Sequence, residues 1–171
     1  SFISAIKWAR PKLISECIWA IKQGYDGIDV DLEQTESGGW GISTGDTLSY
    51  RLFIQELRDS LNKYPARWDA MKKPIITAAV FWRLDYWVRI QHLFDMINLM
   101  TYDGFGGSWE GNTWHNNAIY SRKADGSYAT GSCCGNENIP HQSVDEIWKK
   151  VSRYGADRKK WGVGIEAGLA K

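Results

Sequence analysis

The chain has 171 residues, 43% of them hydrophobic and 24% charged, which is enough apolar material for a packed core and rules out wholesale disorder. Lys and Arg number 21 against 20 Asp and Glu, and a net charge of +1 removes the usual electrostatic argument for a nucleic-acid partner. No run of about 18 apolar residues is present, so no segment reads as a membrane span.

The first element in chain order is a helix from Pro11 to Gln23, with Leu13, Cys17, Ala20 and Ile21 at helical spacing and Gly24 placed to end it. Tyr25 to Glu33 then alternates as a strand. Ile28, Val30 and Leu32 point one way, and Asp29, Asp31 and Glu33 the other. Gln34 to Gly45 is a loop rich in Gly, Ser and Thr. Asp46 or Thr47 caps a helix reaching about Lys63, whose apolar stripe is Leu48, Phe53, Leu57 and Leu61. A second strand, Ile75 to Val80, sets Ile76, Ala78 and Val80 on one face. A short helix over Asp85 to Phe94 and a third strand over Met96 to Tyr102 follow. From Asp103 to about Gln142 the sequence reads as one long Gly-rich loop, of the kind that usually carries function. Ser143 caps a helix to about Tyr154 with Ile147, Trp148 and Val151 inward, and Trp161 to Glu166 is a fourth strand. Strands separated by helices imply parallel pairing with right-handed crossovers, so residues 1–171 read as one α/β unit.

Cys17, Cys133 and Cys134 make an odd count without C-x-x-C spacing. Either of the adjacent pair could bridge to a residue outside this chain, or all three could be free thiols. His92, His115 and His141 have no ligand spacing, so no metal is expected. The chain opens at Ser1 without a signal peptide, which fits a processed secreted protein and equally a piece of a longer chain. An extracellular location is the expectation.

The most informative segment is DGIDVDLE, Asp26 to Glu33. Residues two apart on a strand lie about 6.6 Å from one another. At an effective dielectric near 20, two unit charges at that separation repel by about 2.5 kcal/mol. Three acids in such a row resist ionising together, and the cheapest solution keeps one proton among them near neutral pH. A protonated carboxyl at that pH is what general-acid catalysis requires. The same alternation also fits an exposed antiparallel strand with an acidic polar face. Asp-x-Asp-x-Glu resembles part of a calcium loop as well, although the glycine order of that loop is not met.

DGIDVDLE resembles the Asp-Gly-x-Asp-x-Asp-x-Glu signature of family 18 glycoside hydrolases, which include chitinases and endo-β-N-acetylglucosaminidases. MTYD, Met100 to Asp103, is similar to the family's Met-x-Tyr-Asp motif at the end of the sixth barrel strand. PIITAAV resembles the intervening strand and KKWGVGIEAG the seventh. The resemblance implies a (β/α)8 barrel with its site at the C-terminal ends of the strands, so that the acidic face points inward. It makes Glu33 the catalytic acid, Asp31 the partner of the substrate N-acetyl group, and Asp29 the residue sharing a proton with Asp31. Tyr102 would hold the acetamido carbonyl, with Met100 and Asp103 lining the same subsite.

The implied chemistry is substrate-assisted retention, with no cofactor or metal. The implied partner is chitin or another N-acetylglucosamine-containing oligosaccharide, and neither a nucleic acid nor a membrane. Trp40, Trp82, Trp109 and Trp114 fall at strand-to-helix transitions and are candidate sugar platforms, or else packing under loops. Trp8, Trp19, Trp68, Trp148 and Trp161 read as core or surface packing.

A complete barrel needs about 250 residues and eight strands. Only four strands are legible here. Matched to the family, the first three and the eighth are absent, together with the Trp that the eighth supplies. The chain is therefore expected to be a partial catalytic domain completed by the rest of a longer chain. Alternatives to chitin hydrolysis are cleavage of N-glycans and chitin binding without turnover. The presence of Glu33 argues for an enzyme.

Overall fold

The computed structural model describes residues 2–31, 45–81, 83–102, 118–120, 125–127, 130–133, 136–140 and 143–165. Helices α1 (Phe2–Trp8) and α2 (Arg10–Lys22) open the chain, followed by β1 (Gly27–Asp29), α3 (Thr47–Leu61) and β2 (Ile75–Val80). Then come α4 (Leu84–Ile90), a 3-10 turn (Gln91–Leu93) and β3 (Met96–Leu99). A hairpin of β4 (Thr130–Cys133) and β5 (Asn136–Pro140) precedes α5 (Val144–Arg153) and β6 (Trp161–Val163).

Four strands form one parallel sheet in the order β1-β2-β3-β6. Asp29 pairs with Thr77 and Thr77 with Met96, while Asn98 is flanked by Ala79 and Gly162. Each strand alternates between a helix-covered face and an open one. Ile76, Ala78 and Val80 of β2 and Ile97 and Leu99 of β3 are buried, as the sequence pattern of β2 predicts. Val30, just beyond β1, joins the same core, and Ile28 packs partly against it.

The core is aromatic where α3 and α4 meet the sheet. Trp87 is 2% exposed and meets Tyr50, Tyr86 and Phe94 edge-on, with ring centroids 5.3, 5.8 and 5.9 Å away. Such pairs prefer edge-to-face geometry because the ring face is electron-rich and its rim is not. The Tyr86 hydroxyl donates to the carbonyl of Thr47, tying α4 to the start of α3. Arg58 of α3 is a second tie. Its guanidinium donates to the carbonyls of Leu93 and Pro74 and to the Asp95 carboxylate, which also accepts from the amide of Ile76.

Several expectations need correction. Helix α1 is missing from the sequence reading. It is only seven residues long, yet Ile3 and Ile6 are buried in the core. Helix α2 runs from Arg10 to Lys22 rather than from Pro11 to Gln23, and Pro11 sits in its first turn, where its lost amide costs nothing. Asp46 stands at the N-cap of α3 but makes no side-chain cap bond. Its carboxylate is turned to Lys7 of α1 at 2.6 Å, because a buried charge is better satisfied by an ammonium than by an amide. Leu48 is 59% exposed, and the true stripe of α3 is Tyr50, Phe53, Ile54, Leu57 and Leu61. The span read as one long loop contains the antiparallel β4–β5 hairpin.

Other expectations hold. Ser143 caps α5 by accepting from the amide of Glu146 at 3.3 Å, and Ile147 and Val151 are buried beneath that helix. Trp161 is buried, whereas Trp8, Trp19 and Trp68 are exposed. No described helix is long and apolar enough to cross a membrane.

Candidate active site

The C-terminal ends of the four parallel strands all lie at one end of the sheet. Asp29 closes β1 and Asp31 follows two residues later, both exposed on the face opposite Val30. That face is the open one. Thr77 of β2, opposite Asp29 in register, donates its hydroxyl to the Asp29 carboxylate. The first acid of the signature, Asp26, behaves differently. It lies ahead of β1 at the other end of the strand and pairs with exposed Arg67 at 3.2 Å, an ion pair of little energetic weight in water.

Met100 and Tyr102 follow β3, two strands away. The Met100 amide donates to the Val80 carbonyl at 2.9 Å, which carries the β2–β3 ladder one step beyond Leu99. The chain then bends sharply, with the Thr101 amide donating back to the Leu99 carbonyl at 2.9 Å. Thr101 is buried, and its hydroxyl donates to the Gly164 carbonyl at 2.7 Å. Tyr102 is half-buried and its ring lies against Gly164.

Asp29, Asp31, Met100 and Tyr102 are thus brought to one end of the sheet, as their motifs imply. Glu33, Asp103, Trp40, Trp82, Trp109 and Trp114 lie outside the described residues. Four polar or small residues of this region escaped the sequence reading. Thr77 and Asn98 stand at open-face positions of β2 and β3. Gly162 of β6 and Gly164 just beyond it repeat at strand spacing. Alternation counted outward from the buried positions would have found all of them. Among the described residues there is no cluster of His, Cys, Asp and Glu suited to a metal ion.

Parallel strands with intervening helices on one face, and polar groups gathered at the C-terminal ends, define a partial (β/α)8 barrel. The chain belongs to the glycosyl hydrolases family 18, whose model matches residues 4–168.

Solved structures agree in fold. A family 18 N-acetylglucosaminidase from Paenibacillus barengoltzii superposes with a TM-score of 0.71 at 20% identity, over 95% of this chain and 46% of that one. The multi-modular cell-surface chitinase ChiW from Paenibacillus sp. gives a TM-score of 0.69 at 25% identity, over 94% of this chain and 18% of that one. A family 18 chitinase from Cycas revoluta, solved with (GlcNAc)3, gives 0.63 at 19% identity, over 92% and 42%. The chain therefore spans less than half the length of these relatives.

Proposed function

We propose that this chain carries the acid–base strand of a retaining glycoside hydrolase that cleaves β-1,4 linkages between N-acetylglucosamine units, as in chitin, outside the cell. One observation carries the reading. Asp29 and Asp31 occupy the open face of β1 at the same end of the sheet as Tyr102. A carboxylate row on a parallel strand has no packing role there. Its position at the C-terminal ends of the strands supports a role toward substrate.

In this mechanism Glu33 protonates the glycosidic oxygen as the bond to the anomeric carbon breaks. The substrate's own acetamido oxygen forms the new bond to that carbon, giving a cyclic oxazolinium ion. Asp31 accepts the acetamido N–H and so makes the oxygen a better nucleophile. Tyr102 donates to the acetamido oxygen and fixes its line of attack. Asp29, held by Thr77, shares a proton with Asp31. Glu33, now a carboxylate, takes a proton from water, whose oxygen opens the ring with retention of configuration.

Substituting Glu33→Gln in the full-length protein tests this directly. Turnover of an N-acetylchitooligosaccharide falls by a factor of about 1,000 or more, while binding of the same oligosaccharide survives. Unchanged turnover removes the assignment. A high-mannose glycopeptide assayed beside the chitooligosaccharide separates chitin cleavage from N-glycan cleavage.

A further inference from the structure

Strand β6 and the residue that follows it offer no side chain on the open face at two successive positions of that face, Gly162 and Gly164. A Cβ on Gly162 would meet Asn98 Oδ1 at 2.7 Å. A Cβ on Gly164 would meet Tyr102 Cε1 at 2.7 Å, Tyr102 Cδ1 at 3.2 Å and the Leu99 carbonyl oxygen at 2.8 Å. The two glycines leave room into which side chains of β3 and its extension lean.

Gly164 is also bonded to β3 through both of its polar groups. Its amide donates to the Leu99 carbonyl at 2.8 Å, and its carbonyl accepts from the Thr101 hydroxyl at 2.7 Å. Leu99 thereby accepts from two amides, those of Gly164 and Thr101, at the point where the chain bends toward Tyr102. Thr101 is buried, so its hydroxyl has no competing bulk water. The ring of Tyr102 therefore rests on a backbone surface that is fixed from two sides.

We infer that Gly164, latched by Thr101, is a positioning residue for Tyr102: it sets how far the phenol reaches over the open face. The inference rests on the reading of Tyr102 given above. Carbon atoms in contact stand about 3.5 to 4.0 Å apart. A methyl group at Gly164 therefore pushes the ring away by roughly 1 Å. Rotating the ring does not relieve the clash, because the Leu99 carbonyl is backbone. A displacement of about 1 Å in a group that orients a reacting atom can lower the rate by about 100-fold. A phenol that acts on the acetamido oxygen as it attacks loses rate rather than ground-state affinity.

The test uses the full-length protein and an N-acetylchitooligosaccharide as substrate. Gly164→Ala lowers kcat by about 30- to 100-fold and moves KM by less than about threefold. Tyr102→Phe gives a loss of similar size, and Gly164→Ala combined with Tyr102→Phe loses little more than Tyr102→Phe alone. Thr101→Val lowers kcat by about tenfold, and Thr101→Ser, which keeps the hydroxyl, restores most of it. Should Gly164→Ala fail to fold, the Thr101 pair combined with Tyr102→Phe carries the same cycle. Losses that multiply independently, or Val and Ser variants that behave alike, overturn the inference while leaving the proposed function standing. A wild-type protein that neither binds nor hydrolyses the oligosaccharide overturns the proposed function and this inference with it.

Discussion

On the helix side of the sheet, Ile76, Ala78, Val80, Ile97 and Leu99 are each 2% exposed or less and lean on the Trp87 cluster. On the other side, β2 and β3 carry Thr77 and Asn98, Gly162 and Gly164 lie on β6 and just beyond it, and Asp29 and Asp31 stand on β1 and its extension. One residue step along a strand separates the two environments. The covered face is chosen for volume and apolar contact, and the open face for hydrogen-bonding groups and for room. On the proposed function, stability and chemistry are separated by strand parity. Substitutions on the two faces should fail in different ways.

The largest expected effect lies on the covered face. Trp87→Ala costs about 3–5 kcal/mol of folding stability, because three aromatic neighbours lose their common partner. Urea unfolding of the variant measures it. A loss below about 1 kcal/mol would mean that the cluster is not the anchor of that face.

Asp31→Asn is the matching change on the open face. Turnover of an N-acetylchitooligosaccharide falls by about 100-fold, while the unfolding free energy stays within about 0.5 kcal/mol of wild type. Equal destabilisation by Asp31→Asn and Trp87→Ala would erase the distinction between the faces. Equal cleavage of a glucose polymer by the variant would remove substrate assistance.

The smallest effect comes from a flaw within the covered face. The Tyr50 hydroxyl is buried and has no hydrogen-bond partner among the described residues. Burial raises its pKa well above the ordinary tyrosine value, with Tyr86, Asp29 and Asp31 adding to the rise. Tyr86 is raised too, again by burial, against the lowering effect of Arg51, Arg89 and Arg83. The folded protein keeps these protons where the unfolded chain, near pH 10, releases them. Their contribution is therefore complete below about pH 10 and is lost as the pH rises beyond it. Tyr50→Phe removes the unpaired hydroxyl. It should raise stability by about 1 kcal/mol at neutral pH and soften the alkaline decline, read from urea midpoints across that range.

The alternation of β2 was fully legible because a strand with a covered and an open face writes period two into its sequence. The acidic strand read over Tyr25 to Glu33 is β1 only at Gly27–Asp29, with Val30 buried and Asp31 exposed beyond it and Glu33 outside the described residues, and its motif led to the family. Helix α1 was not, since seven residues give too few turns for a period to emerge. The role of Asp46 was hidden because its partner, Lys7, is 39 positions earlier, and capping rules look only a few residues ahead. Gly162 of β6 and Gly164 beyond it passed as ordinary strand residues. Their meaning depends on Asn98 and Tyr102, which reach them only once β3 and β6 are paired.

Arg58 has a consequence for how such a scaffold can change over time. Its guanidinium fastens α3 to the segments entering β2 and β3, at the end of the sheet remote from Asp31 and Tyr102. That end of the sheet is thus secured through Leu93, Pro74 and Asp95. Segments at the opposite end can be lengthened, shortened or rewritten while this floor stays level.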